Sequence, residues 1–107
     1  MLNRARYTAL LILVLSFLSR TNLAQSSGAE TFKAKCQVCH GAEGLGDTPV
    51  GKSLAVPSYK APDVRKMSDA ELTVVIKKGK NKMPSFSAQL TDTEIKEVLK
   101  YIHTLQK

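Results

Sequence analysis

The stretch Cys36-Gln37-Val38-Cys39-His40 contains both cysteines of the chain and one of its two histidines. The pattern C-x-x-C-H reads as the attachment site of a c-type haem. Its spacing follows from the chemistry. Two thiols three positions apart on one turn can each add to one vinyl group on a porphyrin edge. The histidine that follows then lies over the ring and can ligate the iron from the proximal side. A bare C-x-x-C is a weak signal, but C-x-x-C-H in an exported chain with no further cysteine is a strong one. One covalently attached haem c per chain is therefore expected, held by Cys36 and Cys39, with His40 on the iron.

Export is read from the N-terminus. Arg4 and Arg6 precede an apolar run from Tyr7 to Leu18 that only Thr8 and Ser16 interrupt. A short basic region followed by an apolar core of about 7–15 residues is a secretory signal, and the run falls short of the roughly 20 apolar residues of a membrane span. Residues 1–24 are expected to be a signal peptide. Cleavage after Ala24 leaves Asn22 at the third position back, whereas cleavage after Ser26 gives the small-x-small series Ala24-Gln25-Ser26. An uncleaved anchor, with Arg20 and Asn22 at its outer end, is the alternative. Periplasmic or otherwise exported location is expected either way, with membrane contact only through partners or an uncleaved N-terminus.

Removing 24 of the 107 residues leaves 83, enough for one small domain, residues 25–107, with a modest core. The net charge of +7 is partly targeting: without Arg4, Arg6 and Arg20 the 16 basic residues become 13 against 9 acidic, a net of +4. No basic stripe interleaved with aromatics points to nucleic acid. Two cysteines allow at most one disulfide, so a core this small needs another element to complete it. A large apolar cofactor would serve.

Helix and loop dominate the remainder. Ala29 to Lys35 has helical composition and leads into the haem motif. The glycine-rich segment Gly41 to Gly51 reads as an irregular loop. Ser68-Asp69-Ala70-Glu71 is a capping box, followed by Leu72, Val75 and Ile76 at helical spacing until Gly79. Thr91-Asp92-Thr93-Glu94 is another, opening a helix with Ile95, Val98, Leu99, Ile102 and Leu105 on one face. No segment alternates long enough to predict a sheet.

From Gly28 to Leu105 the chain resembles the class I cytochrome c family, in its small bacterial monohaem form. Gly28 and Phe32 stand eight and four positions before Cys36, where the family keeps a small residue and an aromatic. Val98 and Tyr101 stand three apart on the last helix, where it keeps an apolar residue and an aromatic. The resemblance implies an all-α fold of about three to four helices around one covalently bound haem. It also implies that the first and last helices cross, with Gly28 allowing close approach and Phe32 stacking near Tyr101.

A distal iron ligand must come from Met67, Met83, His103 or Met1, the last lost if the signal is cleaved. Met83 stands in Met83-Pro84-Ser85-Phe86, which resembles the family's Met-Pro-x-Phe ligand loop. Its proline restrains the preceding residue to extended geometry and helps present the thioether inward. Met67 precedes the Ser68 cap, the position of a hydrophobic staple. His103 falls off the apolar stripe and is expected to be solvated. Met83 is the choice. A proximal histidine donates its second ring nitrogen to a carbonyl or carboxylate; the family uses a proline carbonyl, for which Pro49 is the candidate. Tyr59 and Arg65 are candidates for the haem propionates, with exposed loop residues as the alternative.

Lys77, Lys78, Lys80 and Lys82 crowd the ligand loop, with Lys52 and Lys60 less readily placed. They read both as a solvated helix end, where the dipole favours cations, and as a positive rim steering an acidic redox partner. The functional expectation is an electron carrier in a respiratory or periplasmic chain, doing no bond chemistry itself. A haem-bearing subunit of a larger oxidoreductase complex is the alternative. Two readings of other classes compete. A thioredoxin-like dithiol could use C-x-x-C but wants strand patterning that the chain lacks. A zinc site could recruit Cys36, Cys39, His40 and His103, although adjacent Cys39 and His40 are awkward joint tetrahedral ligands.

Overall fold

Ser27 starts the first helix by a reciprocal exchange. Its hydroxyl accepts from the Glu30 N–H, and the Glu30 carboxylate accepts from the Ser27 N–H, each at 3.2 Å. The computed structural model describes residues 27–107; the predicted signal peptide and both cleavage sites lie outside the described residues. Helix α1 runs Gly28–Lys35. After Cys36 a single turn, α2, covers Gln37–His40. Two further short helices follow, α3 over Pro49–Ser53 and α4 over Pro62–Arg65. Helices α5, Asp69–Lys78, and α6, Asp92–Leu105, complete the order. Among the described residues the only β pairing is an isolated bridge between Lys80 and Met83.

Both expected capping boxes are present, Ser68 with Glu71 and Thr91 with Glu94. The Ser27–Glu30 box repeats the pattern at the head of α1. The expected three to four helices correspond to α1, α5 and α6, to which the structure adds three helices of four or five residues. One of these corrects the reading of Gly41 to Gly51 as wholly irregular. Thr48 caps α3 and Pro49 takes its first turn, a position where the missing N–H costs nothing and the fixed φ is already helical. The Thr48 hydroxyl accepts from the Gly51 N–H at 2.9 Å and donates to the Val38 carbonyl at 2.7 Å. One side chain thereby ends the loop and fastens α3 to the haem motif.

Helix α6 buries Ile95, Val98, Leu99 and Ile102, the face its 3.6-residue period predicts. That face meets Phe32, Tyr59, Ile76, Phe86 and Leu90 in one core, with Leu105 and Tyr101 packed at its margin. The α1–α6 crossing is as close as backbones allow. A Cβ on Gly28 would sit 2.1 Å from the Glu97 carbonyl oxygen and 3.2 Å from the Val98 nitrogen. The Phe32 and Tyr101 rings lie 5.2 Å apart at 54°, a tilted aromatic pair.

His103 is more engaged than its position off the apolar stripe implied. Its Nε2 lies 2.6 Å from Asp69 Oδ1 and its Nδ1 2.8 Å from Gln106 Oε1. The C-terminal end of α6 is thereby tied to the first turn of α5.

Two predictions follow from these contacts. Gly28→Ala should lower stability by about 1–3 kcal/mol, the range for forcing extra atoms into a packed site, although the same change ordinarily favours a helix. Because α6 backbone is the obstacle, thermal unfolding of the variant should show a lower Tm; an unchanged or higher Tm would contradict the close approach. The bonds to Asp69, and then to Gln106, raise the His103 pKa above 6.5. A raised folded-state pKa contributes stability that is full below the unfolded value of about 6.5 and is lost as pH rises through the folded pKa. The pair is solvent-exposed, so the contribution is below about 1 kcal/mol. The Tm advantage of wild type over His103→Gln should therefore be largest below about pH 6.5 and shrink as pH rises above it.

Candidate haem site

The C-terminal end of α1 delivers the haem motif. The Cys36 N–H still donates to the Phe32 carbonyl at 2.9 Å, and the Cys36 carbonyl accepts from the N–H groups of Cys39 at 3.2 Å and His40 at 3.0 Å. This single turn sets the two thiols and the imidazole on one wall. Both cysteines are free thiols. Burial, reinforced by Cys39, pushes the Cys36 thiol up to about 11. A dithiol redox centre needs the opposite, a thiolate stabilised near neutral pH. Burial also lowers the pKa of His40, leaving the neutral imidazole that metal ligation requires. Its Nδ1 is buried without a hydrogen-bond partner, and the ring stacks on Tyr59 at 4.8 Å and 25°.

A second segment approaches from the end of α5. The Gly79 N–H closes the helix on the Val75 carbonyl at 2.8 Å. The chain then reverses in a two-residue turn: Lys80 and Met83 exchange both backbone hydrogen bonds, at 3.1 and 2.9 Å, and Asn81 takes φ +52°. Beyond Met83 the Ser85 hydroxyl donates to the Lys77 carbonyl, and the Phe86 N–H donates to the Ile76 carbonyl at 3.0 Å. Met83 is thus fixed on both sides by backbone pairing, while Phe86 is anchored in the core.

Between these segments lies a cavity of about 410 Å³ whose wall includes Cys36, Cys39, His40 and Met83. The rest of the wall is largely aliphatic. Leu54 and Val56 contribute from the segment after α3, Val64 from α4, and Leu72, Val75 and Ile76 from α5. These wall residues lie outside the capping boxes or on a helix face that appeared to need only a protein neighbour. Apart from Ile76 they stay only half-buried, an arrangement unfavourable for so many apolar side chains unless a large apolar group covers them. The donor set fits haem: two thiols, a half-buried imidazole and a thioether around one apolar space.

Other expected site residues are distributed differently. Met67 and Leu72 share the cavity wall, as a staple across the Ser68 cap implies. No hydrogen bond joins His40 Nδ1 to Pro49. Tyr59 is buried against His40 and Phe32, not an exposed loop residue. Arg65 does not line the cavity and donates to the Gln106 carbonyl. His103, bonded to Asp69 and Gln106, is absent from the wall, and among the described residues no group of three or more His, Cys, Asp or Glu side chains is placed to hold a metal ion. The four ligands required by the zinc reading are not brought together. Of the lysines, Lys80 and Lys82 reach the cavity, joined by Lys35, whose approach the sequence did not signal. Lys77 instead pairs with Asp92 at 2.6 Å.

Relatives agree with this geometry. A family model described as "Cytochrome C oxidase, cbb3-type, subunit III" matches residues 23–102. The chain is 35% identical to the cytochrome c6 of Cyanidium caldarium over 75 residues, covering 70% of this chain and 65% of that protein, just under two thirds of its length. It is 27% identical to the cytochrome c6 of Alaria esculenta over 79 residues, covering 74% and 88%. The solved structure of the KustC0563 c-type cytochrome superposes with a TM-score of 0.70 at 25% identity, over 77% of this chain and 100% of that one. With the all-α fold and the C-x-x-C-H turn at a cavity fit for a porphyrin, the chain belongs to the class I cytochrome c family as a small monohaem protein carrying covalently bound haem c.

Proposed function

We propose that the protein is an exported electron carrier of a respiratory or periplasmic chain. In this reading Cys36 and Cys39 hold the haem through thioether bonds, and His40 and Met83 ligate its iron. The observation that carries it is the sharing of one apolar cavity by the two cysteines, His40 and Met83. When bound, the haem supplies a one-electron iron couple. His40 contributes a neutral nitrogen donor. Met83 contributes a soft thioether, which raises the potential. The aliphatic wall excludes water and lowers the local dielectric. Backbone pairing on either side of Met83 limits rearrangement when the oxidation state changes. Among the described residues no helix is long and apolar enough to cross a membrane.

The match to a family model described as an oxidase subunit favours a second reading, in which the same domain serves as the haem-bearing subunit of a larger oxidoreductase complex. Either way the electron partner is a protein. Lys35, Lys80 and Lys82 at the cavity supply a positive rim suited to an acidic docking surface, and the ion pair with Asp92 diminishes the part of Lys77. Such steering acts on association rate more than on affinity.

Attachment and ligation are tested together on protein matured with the haem-attachment machinery. Intact mass should equal one chain, processed or unprocessed, plus one haem that survives acid–organic extraction. Met83→Ala should abolish the sulfur-to-iron absorption band of the oxidised protein and lower the potential, whereas Met67→Ala should retain the band. A mass without haem, or a band lost in Met67→Ala and kept in Met83→Ala, would overturn the assignment. For docking, stopped-flow electron transfer to an acidic redox protein should slow as salt shortens the screening length to about 8 Å. Lys80→Glu combined with Lys82→Glu should slow it by roughly tenfold at low ionic strength, the lower end of steering effects, with an unchanged haem spectrum. Rates independent of salt and of both substitutions would reduce these lysines to a solvated helix end.

A further inference from the structure

A histidine that binds metal is normally oriented by the hydrogen bond from its second ring nitrogen. The His40 ring has, besides that nitrogen, a stacked neighbour: Tyr59 lies against it at 4.8 Å and 25°. Tyr59 is itself held from several directions. Its N–H donates to the Gly44 carbonyl at 2.8 Å. Its ring meets Phe32 edge-on at 6.2 Å. Gly44 leaves room for that ring, since a Cβ there would fall 2.2 Å from Tyr59 Cδ2. The remaining tether comes from the far end of the chain: Gln106 Nε2 donates to the Tyr59 carbonyl at 3.2 Å.

The Gln106 amide is oriented in turn. With Nε2 donating to Tyr59, Oε1 must accept, and His103 Nδ1 lies 2.8 Å away to donate to it. His103 Nε2 then faces the Asp69 carboxylate at 2.6 Å, and the Gln106 backbone carbonyl accepts from Arg65. Three elements therefore converge on one glutamine: α4 through Arg65, α5 through Asp69, and α6 through His103.

We propose that Tyr59 is the positioning residue for the His40 imidazole, and that the Gln106 side chain holds Tyr59 in register from the C-terminus. Stacking against a clamped ring adds a constraint on the plane of the ligand. The inference rests on His40 being the proximal ligand. Neither residue touches the iron; both act through His40. The Tyr59 hydroxyl has no role in it, because the ring face and the backbone carbonyl make the contacts.

The test uses oxidised holoprotein and proton NMR of the hyperfine-shifted haem methyl resonances, whose order reports the plane of the axial imidazole, together with the reduction potential. Tyr59→Phe should reproduce the wild-type pattern. Gln106→Glu can still accept from His103 but cannot donate to the Tyr59 carbonyl. It should keep the C-terminus docked, with a Tm near wild type, yet reorder the methyl shifts and move the potential. Tyr59→Leu should reorder them further, and if that variant does not accumulate, Gln106→Glu decides alone. A wild-type methyl pattern in Gln106→Glu would overturn the inference. The ligation reading has its own readout: absence of the sulfur-to-iron band from wild type, or haem bound stably to His40→Ala with an unchanged spectrum, would overturn that reading. The band intact and the methyl order unmoved would overturn only the role of Tyr59 and Gln106.

Discussion

Helices α1 and α6 meet backbone to backbone at Gly28, where no side chain separates the first turn from the Glu97 carbonyl. Most of the site's geometry depends on that contact. With the helices so close, Phe32 is driven into the core beside Val98 and Tyr101. The C-terminal end of α1 is then fixed in space, and α2 grows directly from it through the hydrogen bonds of Cys36. Any larger residue at position 28 would have to push α1 off α6, and the haem motif would move with it.

The rest of the molecule is arranged around a space it does not fill. A chain of this size buries little surface when folded alone, and here many of its apolar side chains face a common cavity of about 410 Å³. Covalent haem is thus both the redox centre and the missing part of the core. The segment that carries Met83 is built differently from the C-x-x-C-H segment. Cys36, Cys39 and His40 sit on one helical turn, whereas Met83 sits in a tight turn braced against α5 by Ser85 and Phe86. A helical turn places three groups in fixed register, and a braced turn can present one thioether without exposing unpaired backbone to an apolar space.

Charge and polarity are organised around the same cavity. Burial raises the Cys36 thiol and lowers His40, so the groups facing the haem site favour their neutral forms. Cationic side chains stay at its margin, where solvent carries their charge. The C-terminal network of Asp69, His103, Gln106 and Arg65 lies away from the cavity wall but reaches Tyr59 by a single hydrogen bond.

Much of this was legible in the residues themselves. The C-x-x-C-H turn, the capping boxes at Ser68 and Thr91, the buried stripe from Ile95 to Ile102 and the pairing of Phe32 with Tyr101 all depend on neighbours within a turn or two, or on one face of a regular helix. Local hydrogen bonding and a 3.6-residue period write such features directly into sequence. The Thr48-Pro49 start of α3 was written there too, but glycines on either side obscured it. Tertiary structure alone decided that Lys77 pairs with Asp92, that Lys35 reaches the cavity, and that Tyr59 stacks on His40 while Gln106 donates to its carbonyl. These partners are far apart in the chain and lie at loops or helix ends without periodicity, so their meeting is set by how α1, α5 and α6 pack and not by any pattern among adjacent residues.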